Sequence, residues 1–312
     1  MDNAAERAIE YIRERYGEPL TLTKIAESAL LSRFYFARLF KEETGITPGR
    51  FLAAIRIHEA KRLIKHTPMS IIDISYAVGY NSLGSFTNSF TSGVGVSPSR
   101  YRRLARDGGD GLPGPEPGLR AGYGTIAGTV SLPAGHGNAR VFLGAFGTPV
   151  VQHPSVASAV VDVPAGRPSC YVLRNVPEGE WHLLAVAVAD GIGPEARTRR
   201  TALVAGRGPA TVPVTAGVIV SAAVRLRPAR ATDPPVLLAL PELVPPAEVV
   251  SRPGCVSLSP RAEPVAGGRR DAGRLRVASA APEPAPVAQA APGPARRAAL
   301  AGQVTEPRPA WP

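Results

Sequence analysis

The sequence predicts a multidomain chain of 312 residues. An all-α domain comes first, an all-β sandwich-like domain follows, and a Pro/Ala/Arg-rich tail expected to be disordered closes the chain. Three observations predict this. One pattern of apolar residues, serines and glycines occurs twice in succession within the first hundred residues. Short β-branched runs separated by Gly, Pro, Asn and Asp fill the stretch after residue 122. The composition then drifts: every lysine lies before residue 66, every phenylalanine before residue 147, and the only aromatic after Trp181 is Trp311. With 33 Pro and 32 Gly, both above ordinary usage, part of the chain is expected to lack a core.

The repeat defines the front domain, residues 1–106. Set "LTLTKIAESALLSRFYFARLFKEETGITPGRFL" (20–52) above "MSIIDISYAVGYNSLGSFTNSFTSGVGVSPSRYR" (69–102). Leu22 and Ile25 fall on Ile71 and Ile74 at an offset of 49, whereas Ser32, Phe36, Phe40, Gly45, Pro48 and Phe51 fall on Ser82, Phe86, Phe90, Gly95, Pro98 and Tyr101 at an offset of 50. Each copy reads as a short helix, a tight turn and a second helix. Thr23 is the expected cap of "KIAESAL", and Ser32 that of "RFYFARLFKEET", which Gly45 stops and Pro48 keeps from resuming. Phe36, Leu39 and Phe40 stand at i, i+3 and i+4 and form one apolar stripe, so Arg33, Ala37, Arg38 and Lys41 lie off it. Between the copies, "RFLAAIRIHEAKRLIKH" (50–66) has helical spacing. At about 16 residues it spans roughly 24 Å, the order needed to hold two helices about one DNA turn, roughly 34 Å, apart.

Residues 107–122, "DGGDGLPGPEPGLRAG", have a linker's composition. Seven runs follow in 123–230: "YGTIAGTVSL", "ARVFLGAFG", "SAVVDV", "SCYVLRNV", "WHLLAVAVAD", "ATVPV" and "GVIVSAAVRLR". They predict a β-sandwich of about seven strands. Its titratable residues (His136, His153, His182, Asp162, Glu178, Glu180, Asp190, Glu195) form no HExxH, GxSxG or paired-carboxylate pattern, so no catalytic residue, metal or cofactor is expected. Trp181 reads as a sandwich core residue. From 231 to 312 the chain is Ala, Pro and Arg with almost no aromatics and is expected not to fold. Its apolar island "VLLALPELV" is either an extra strand or a docking segment, and the pairs Arg269-Arg270 and Arg296-Arg297 read as solvated.

A formal net charge of +11 suits a polyanionic partner. Residues 1–106 hold 16 Lys and Arg against 10 Asp and Glu, a net of +6 and over half of the excess. Cys170 and Cys255, with no CxxC, read as reduced thiols. The charged, amphipathic start is unlike a signal peptide, and no apolar run approaches the roughly 18 residues of a membrane span. A cytoplasmic location and no membrane partner are therefore expected.

On these residues, 6–103 resemble the AraC-type (AraC/XylS) DNA-binding domain: the first copy, the connector with "RIHEAKRLI", then "SIIDISYAVGYNSLGSFTNSF" and "GVSPSRYR". The resemblance implies two helix-turn-helix units joined by a long helix, in a transcription regulator that reads double-stranded promoter DNA. It implies groove contacts from Arg33, Phe34, Ala37 and Arg38, with Ser32 and Lys41 near phosphates, and from Ser82, Leu83, Gly84, Thr87 and Asn88 in the second unit. Ala37 departs from the longer polar residue common in the family. Arg100, Arg102 and Arg103 are further candidates for phosphate contact. The second helix lacks any cation, since Arg33, Phe34, Arg38 and Lys41 correspond to Leu83, Gly84, Asn88 and Thr91; unequal reading by the two halves is expected.

The middle segment "LRNVPEGEWHLLAVAVADG" resembles, more weakly, a carboxypeptidase-regulatory or prealbumin-like sandwich. In AraC-type regulators a second domain commonly senses a small-molecule effector or self-associates. It usually precedes the DNA-binding part, whereas here it follows. RNA polymerase is a further expected partner. The alternatives are a carbohydrate- or peptide-binding β-domain protein, and a sequence-indifferent DNA binder, each using the repeat for targeting.

Overall fold

A computed structural model describes residues 4–107, 122–193, 195–206, 211–240 and 243–249. Among the described residues seven helices come first: α1 (Ala4–Arg15), α2 (Leu22–Ser28), α3 (Arg33–Thr44), α4 (Pro48–His66), α5 (Ile71–Ala77), α6 (Leu83–Val94) and α7 (Pro98–Asp107). The two repeat units are α2–α3 and α5–α6, and paired helices have equal lengths.

Local chemistry explains the boundaries. Ser70 and Ser82 accept backbone N–H bonds from Asp73 and Ser85 at the starts of α5 and α6. The cap of α2 is Thr21, which accepts from the Lys24 N–H, and not the expected Thr23; Thr23 is already the second residue of the helix, past the extended position that a cap occupies. Ser32 caps α3 by position but without a side-chain bond. Gly45 and Gly95 end α3 and α6 in the left-handed conformation, with φ of 78° and 90°. Pro48, expected only to prevent resumption, instead begins α4 in its first turn, where a missing N–H costs nothing. At 19 residues α4 is longer than the sequence suggests and spans about 28 Å.

The change of repeat offset from 49 to 50 is a difference in the turns. Leu30 in the first unit and Gly79 in the second both adopt positive φ, 58° and 85°. A Cβ on Gly79 would lie 2.8 Å from the Arg56 guanidinium and 2.9 Å from two backbone oxygens. We expect Gly79→Ala to destabilise the fold by at least the roughly 1–2 kcal/mol of a left-handed non-glycine residue, read as a lowered midpoint in a urea melt. Arg56 itself ties α4 to the end of α1, donating to the carbonyls of Tyr16 and Glu18 at 2.8 Å each.

The core repeats too. The Phe36–Phe40 and Phe40–Phe51 centroid distances are 5.3 and 5.4 Å; those of Phe86–Phe90 and Phe90–Tyr101 are 5.6 and 5.7 Å. Five of these six rings are wholly buried, Tyr101 being partly so. The remaining face is closed by Ala5, Ala8, Ile9 and Ile12 of α1.

Ten strands follow among the described residues: β1 (Tyr123–Ser131), β2 (Ala139–Phe146), β3 (Ser155–Val163), β4 (Ser169–Pro177), β5 (Gly179–Ala189), β6 (Thr201–Ala205), β7 (Val212–Val214), β8 (Ile219–Ser221), β9 (Val224–Arg225) and β10 (Arg227–Pro228). One sheet runs β4-β1-β8 with β9 also on β1; the other runs β10-β6-β5-β2-β3 with β7 also on β5. Ile126, Leu173 and Val176 of the first sheet share a core with Val141, Leu143 and Ala185 of the second, which makes a sandwich. Trp181 packs against that core and donates its indole N–H to the Pro177 carbonyl. Two expectations change. Strand β6 was not foreseen, because "TALVA" is short and has no alternation. Cys170 is disulfide-bonded rather than reduced, since linear spacing does not report which side chains meet in space; Cys255 lies outside the described residues.

The second sheet is apolar on both faces. Val141, Leu143, Leu183 and Ala185 face the sandwich core, while Phe142, Leu184 and Val186, at the alternate positions, face outward. The outer face is covered by Val151 and Leu238, with Val236, Leu240 and Leu243 packed beside them. The island "VLLALPELV" is therefore a docking segment, and residues 231–240 are packed chain, contrary to the disorder expected from 231 onward. Their apolar side chains find partners on two other elements, which composition cannot reveal. Arg227 holds the approach to this segment through a two-point pair with Asp233 at 2.9 and 2.7 Å. The linker expected at 107–122 lies outside the described residues except for Asp107 and Gly122, and most of the tail, with its two arginine pairs, also lies outside them.

Candidate nucleic-acid interface

The phenylalanine stripes turn α3 and α6 so that the opposite side of each is free. Along α3, Ser32, Arg33, Phe34, Arg38 and Lys41 are exposed and Ala37 is half-buried; Phe34 shows 78% of its surface. Along α6, Ser82, Leu83, Gly84 and Asn88 are exposed and Thr87 is half-buried. A Cβ on Gly84 would meet nothing within 4 Å, so that position leaves open surface rather than a tight packing contact.

The two surfaces differ in charge. On α3 the Arg33 guanidinium lies 4.8 Å from the Phe34 ring, and that of Arg38 lies 5.8 Å from the Tyr35 ring. Arg38 also approaches Glu42 at 3.8 Å, but both side chains are largely solvated, so the pair is weak and leaves the guanidinium available. Helix α6 carries no charged residue and offers Asn88, Thr87 and Leu83. Tyr35, half-exposed beside Arg38, was missed in the sequence; its i, i+3 spacing from Arg38 was the available signal.

Structure separates the three candidate arginines of α7, Arg100, Arg102 and Arg103. Arg100 and Arg103 are exposed. Arg102 is half-buried and donates to the Met69 carbonyl at 2.6 Å, so it braces the entry to α5. The C-terminal half of α3 borders the β domain across a cleft of about 890 Å³ lined by Arg38, Lys41, Arg50, Pro149 and His182 among others. Burial holds the His182 imidazole below its usual pKa. Among the described residues no group of three or more His, Cys, Asp and Glu side chains could hold a metal, and no helix is long and apolar enough to cross a membrane.

Residues 25–104 match the family model described as a helix-turn-helix domain, and they run from within α2 through α3, α4, α5 and α6 into α7. This region is an AraC-type helix-turn-helix domain. The chain is similar to an uncharacterised HTH-type transcriptional regulator of Bacillus subtilis, YobQ, 36% identical over 95 residues, 30% of this chain and 39% of that protein. It is also similar to the lactose operon transcription activator of Staphylococcus xylosus, 34% identical over 97 residues, 31% of this chain and 35% of that protein. Among solved structures, the C-terminal domain of AraT, a response regulator from Geobacillus stearothermophilus, is 35% identical and covers 32% of this chain and 84% of that domain, with a TM-score of 0.32. The chain thus spans about two fifths or less of the length of these curated relatives. The family match ends at residue 104, so the β domain lies outside it.

Proposed function

We propose that the chain is a sequence-specific DNA-binding regulator of transcription that reads a promoter site with α3 and α6 in successive major-groove segments. The observation that carries this reading is the pair of exposed helix faces on two matched units whose opposite faces are wholly buried. A helix side about 10 Å across fits a major groove, and the net charge of +6 over residues 1–106 favours phosphate approach. Arg38, as a planar fork, suits a guanine edge; Arg33 and Phe34 flank it at the start of α3 with Ala37, and Ser32 and Lys41 suit phosphates. On α6, Asn88 suits an adenine edge and Leu83 a thymine methyl, with Thr87, Ser82 and Gly84 completing the surface. Arg100 and Arg103 supply backbone contacts. The β domain modulates this binding through an effector or a partner protein, RNA polymerase included.

Selection from a random duplex pool at stated salt tests the reading. The full chain should enrich one motif with two conserved blocks about one helical turn apart, and its affinity should fall steeply as salt rises. Enrichment of no motif would overturn sequence-specific reading.

A further inference from the structure

The β domain touches both repeat units at corresponding places. The loop joining β2 and β3 (147–154) brings Pro149 to Gly45, the residue that ends α3; a Cβ there would lie 3.8 Å from the proline ring. Four residues further on, the His153 N–H donates to the Gly93 carbonyl at 2.8 Å, in the last turn of α6. Val150, between them, is buried in the helical core.

Residues 236–240 fill the gap beneath this loop as an extended strap. Its side chains alternate: Leu237 and Ala239 enter the helical core, while Val236, Leu238 and Leu240 lie on the outer face of the second sheet. Backbone bonds hold it on both sides. The Leu237 and Leu238 N–H groups donate to the Val151 carbonyl at 2.9 and 3.1 Å, and the Ala239 N–H donates to the Val94 carbonyl at 3.0 Å. Its own carbonyls face α4, where the Lys61 ammonium donates to those of Val236, Leu237 and Leu238 at 3.2, 2.9 and 3.0 Å. Three donors meet three acceptors there, which offsets the burial that pulls Lys61 down to about 8.

We propose that the β domain is a brace that fixes the spacing of the two reading helices, gripping the glycine-capped end of each through loop 147–154 and the 236–240 strap. Helix α4 packs against both units, and the Gly79 turn of the second approaches the Tyr16 and Gly17 carbonyls at the end of α1. The brace adds a further attachment at the C-terminal ends of α3 and α6, beside the cleft that Arg38 and Lys41 line with Pro149 and His182. Each added attachment at a separate place narrows the range of separations the units can adopt. The chain therefore discriminates the distance between the two halves of its site as well as their sequence. This rests on the promoter-reading proposal above.

The test uses the full chain, the motif it enriches, and versions of that motif with one base pair inserted or deleted between the blocks. Two variants release the strap without touching the reading faces: Leu237→Asp, which places a carboxylate between the helical core and the sheet, and Lys61→Met, which keeps the stem and removes the three donors. Hydrogen exchange at the Leu237, Leu238 and Ala239 amides reports release, and circular dichroism reports that the helices persist. The parent should lose about tenfold or more in affinity for a respaced site, comparable to one mismatched position. A released variant should lose less than about threefold. If exchange shows the strap released and the variant still discriminates spacing as the parent does, the brace is wrong and promoter reading stands. Should Leu237→Asp fail to fold, Lys61→Met decides by the same readout. A parent that enriches no motif overturns both proposals.

Discussion

Phe90→Ala is expected to lower the stability of the helical domain by about 3–5 kcal/mol. The ring is wholly buried and sits between Phe86 and Tyr101, with centroids 5.6 and 5.7 Å away. Its loss removes transfer free energy and leaves a cavity that rigid neighbours on α6 and α7 cannot collapse into. A domain of ordinary stability has about 5–15 kcal/mol in total, so the unfolded population becomes substantial near physiological temperature. Phe40→Ala should cost a similar amount, because Phe40 occupies the same place in the first unit, between Phe36 and Phe51. Urea melts followed by helical ellipticity check this: the midpoint should fall with the slope unchanged. A midpoint that does not move would show that the repeat in the sequence is not a repeat in the packing.

The second large effect is an asymmetry between the reading helices. Arg38→Ala should weaken binding to the enriched site by about 1–3 kcal/mol and relax selectivity at one base position. A guanidinium forms two charge-assisted bonds to a guanine edge, and the other guanidinium of α3, Arg33, stands at the helix start against the Phe34 ring. Lys41→Ala should weaken all sequences alike and lower the salt dependence by about one counterion. Asn88→Ala and Thr87→Ala on α6 should cost less than Arg38→Ala, since neutral hydrogen bonds exchange for water at small net gain. Equal losses at Asn88 and Arg38 would sink the idea of unequal halves. An equal loss on every sequence for Arg38→Ala would make it a phosphate contact.

The candidate interface was largely legible from the repeat. Once Phe36 and Phe40 were assigned inward, helical geometry left Arg33, Phe34, Arg38 and Lys41 outside, and the same logic assigned Leu83, Gly84 and Asn88. Arg102 shows where this reasoning stops. Its charge and position matched those of Arg100 and Arg103, yet its guanidinium turns to the Met69 carbonyl, which is 33 residues away in sequence. The strap shows the same limit over a longer range, since Lys61 meets the Val236 carbonyl across 175 residues. A clue was present in "ARVFLGAFG", apolar at successive positions rather than at alternate ones. Such a strand needs cover on both faces, and only packing identified the cover as Val151, Val236, Leu238, Leu240 and Leu243.

By itself the sequence determined the two helical units, their glycine stops, their buried phenylalanines and the sandwich strands other than β6. These follow from interactions within a few residues: side-chain period, caps, and the backbone freedom of glycine at positive φ. Tertiary structure alone decided that Pro48 begins a helix, that Arg102 ties α7 to the entry of α5, and that an apolar island in a proline-rich stretch is wedged between helices and sheet. Those outcomes depend on which distant carbonyls and apolar faces lack partners once the local elements have formed.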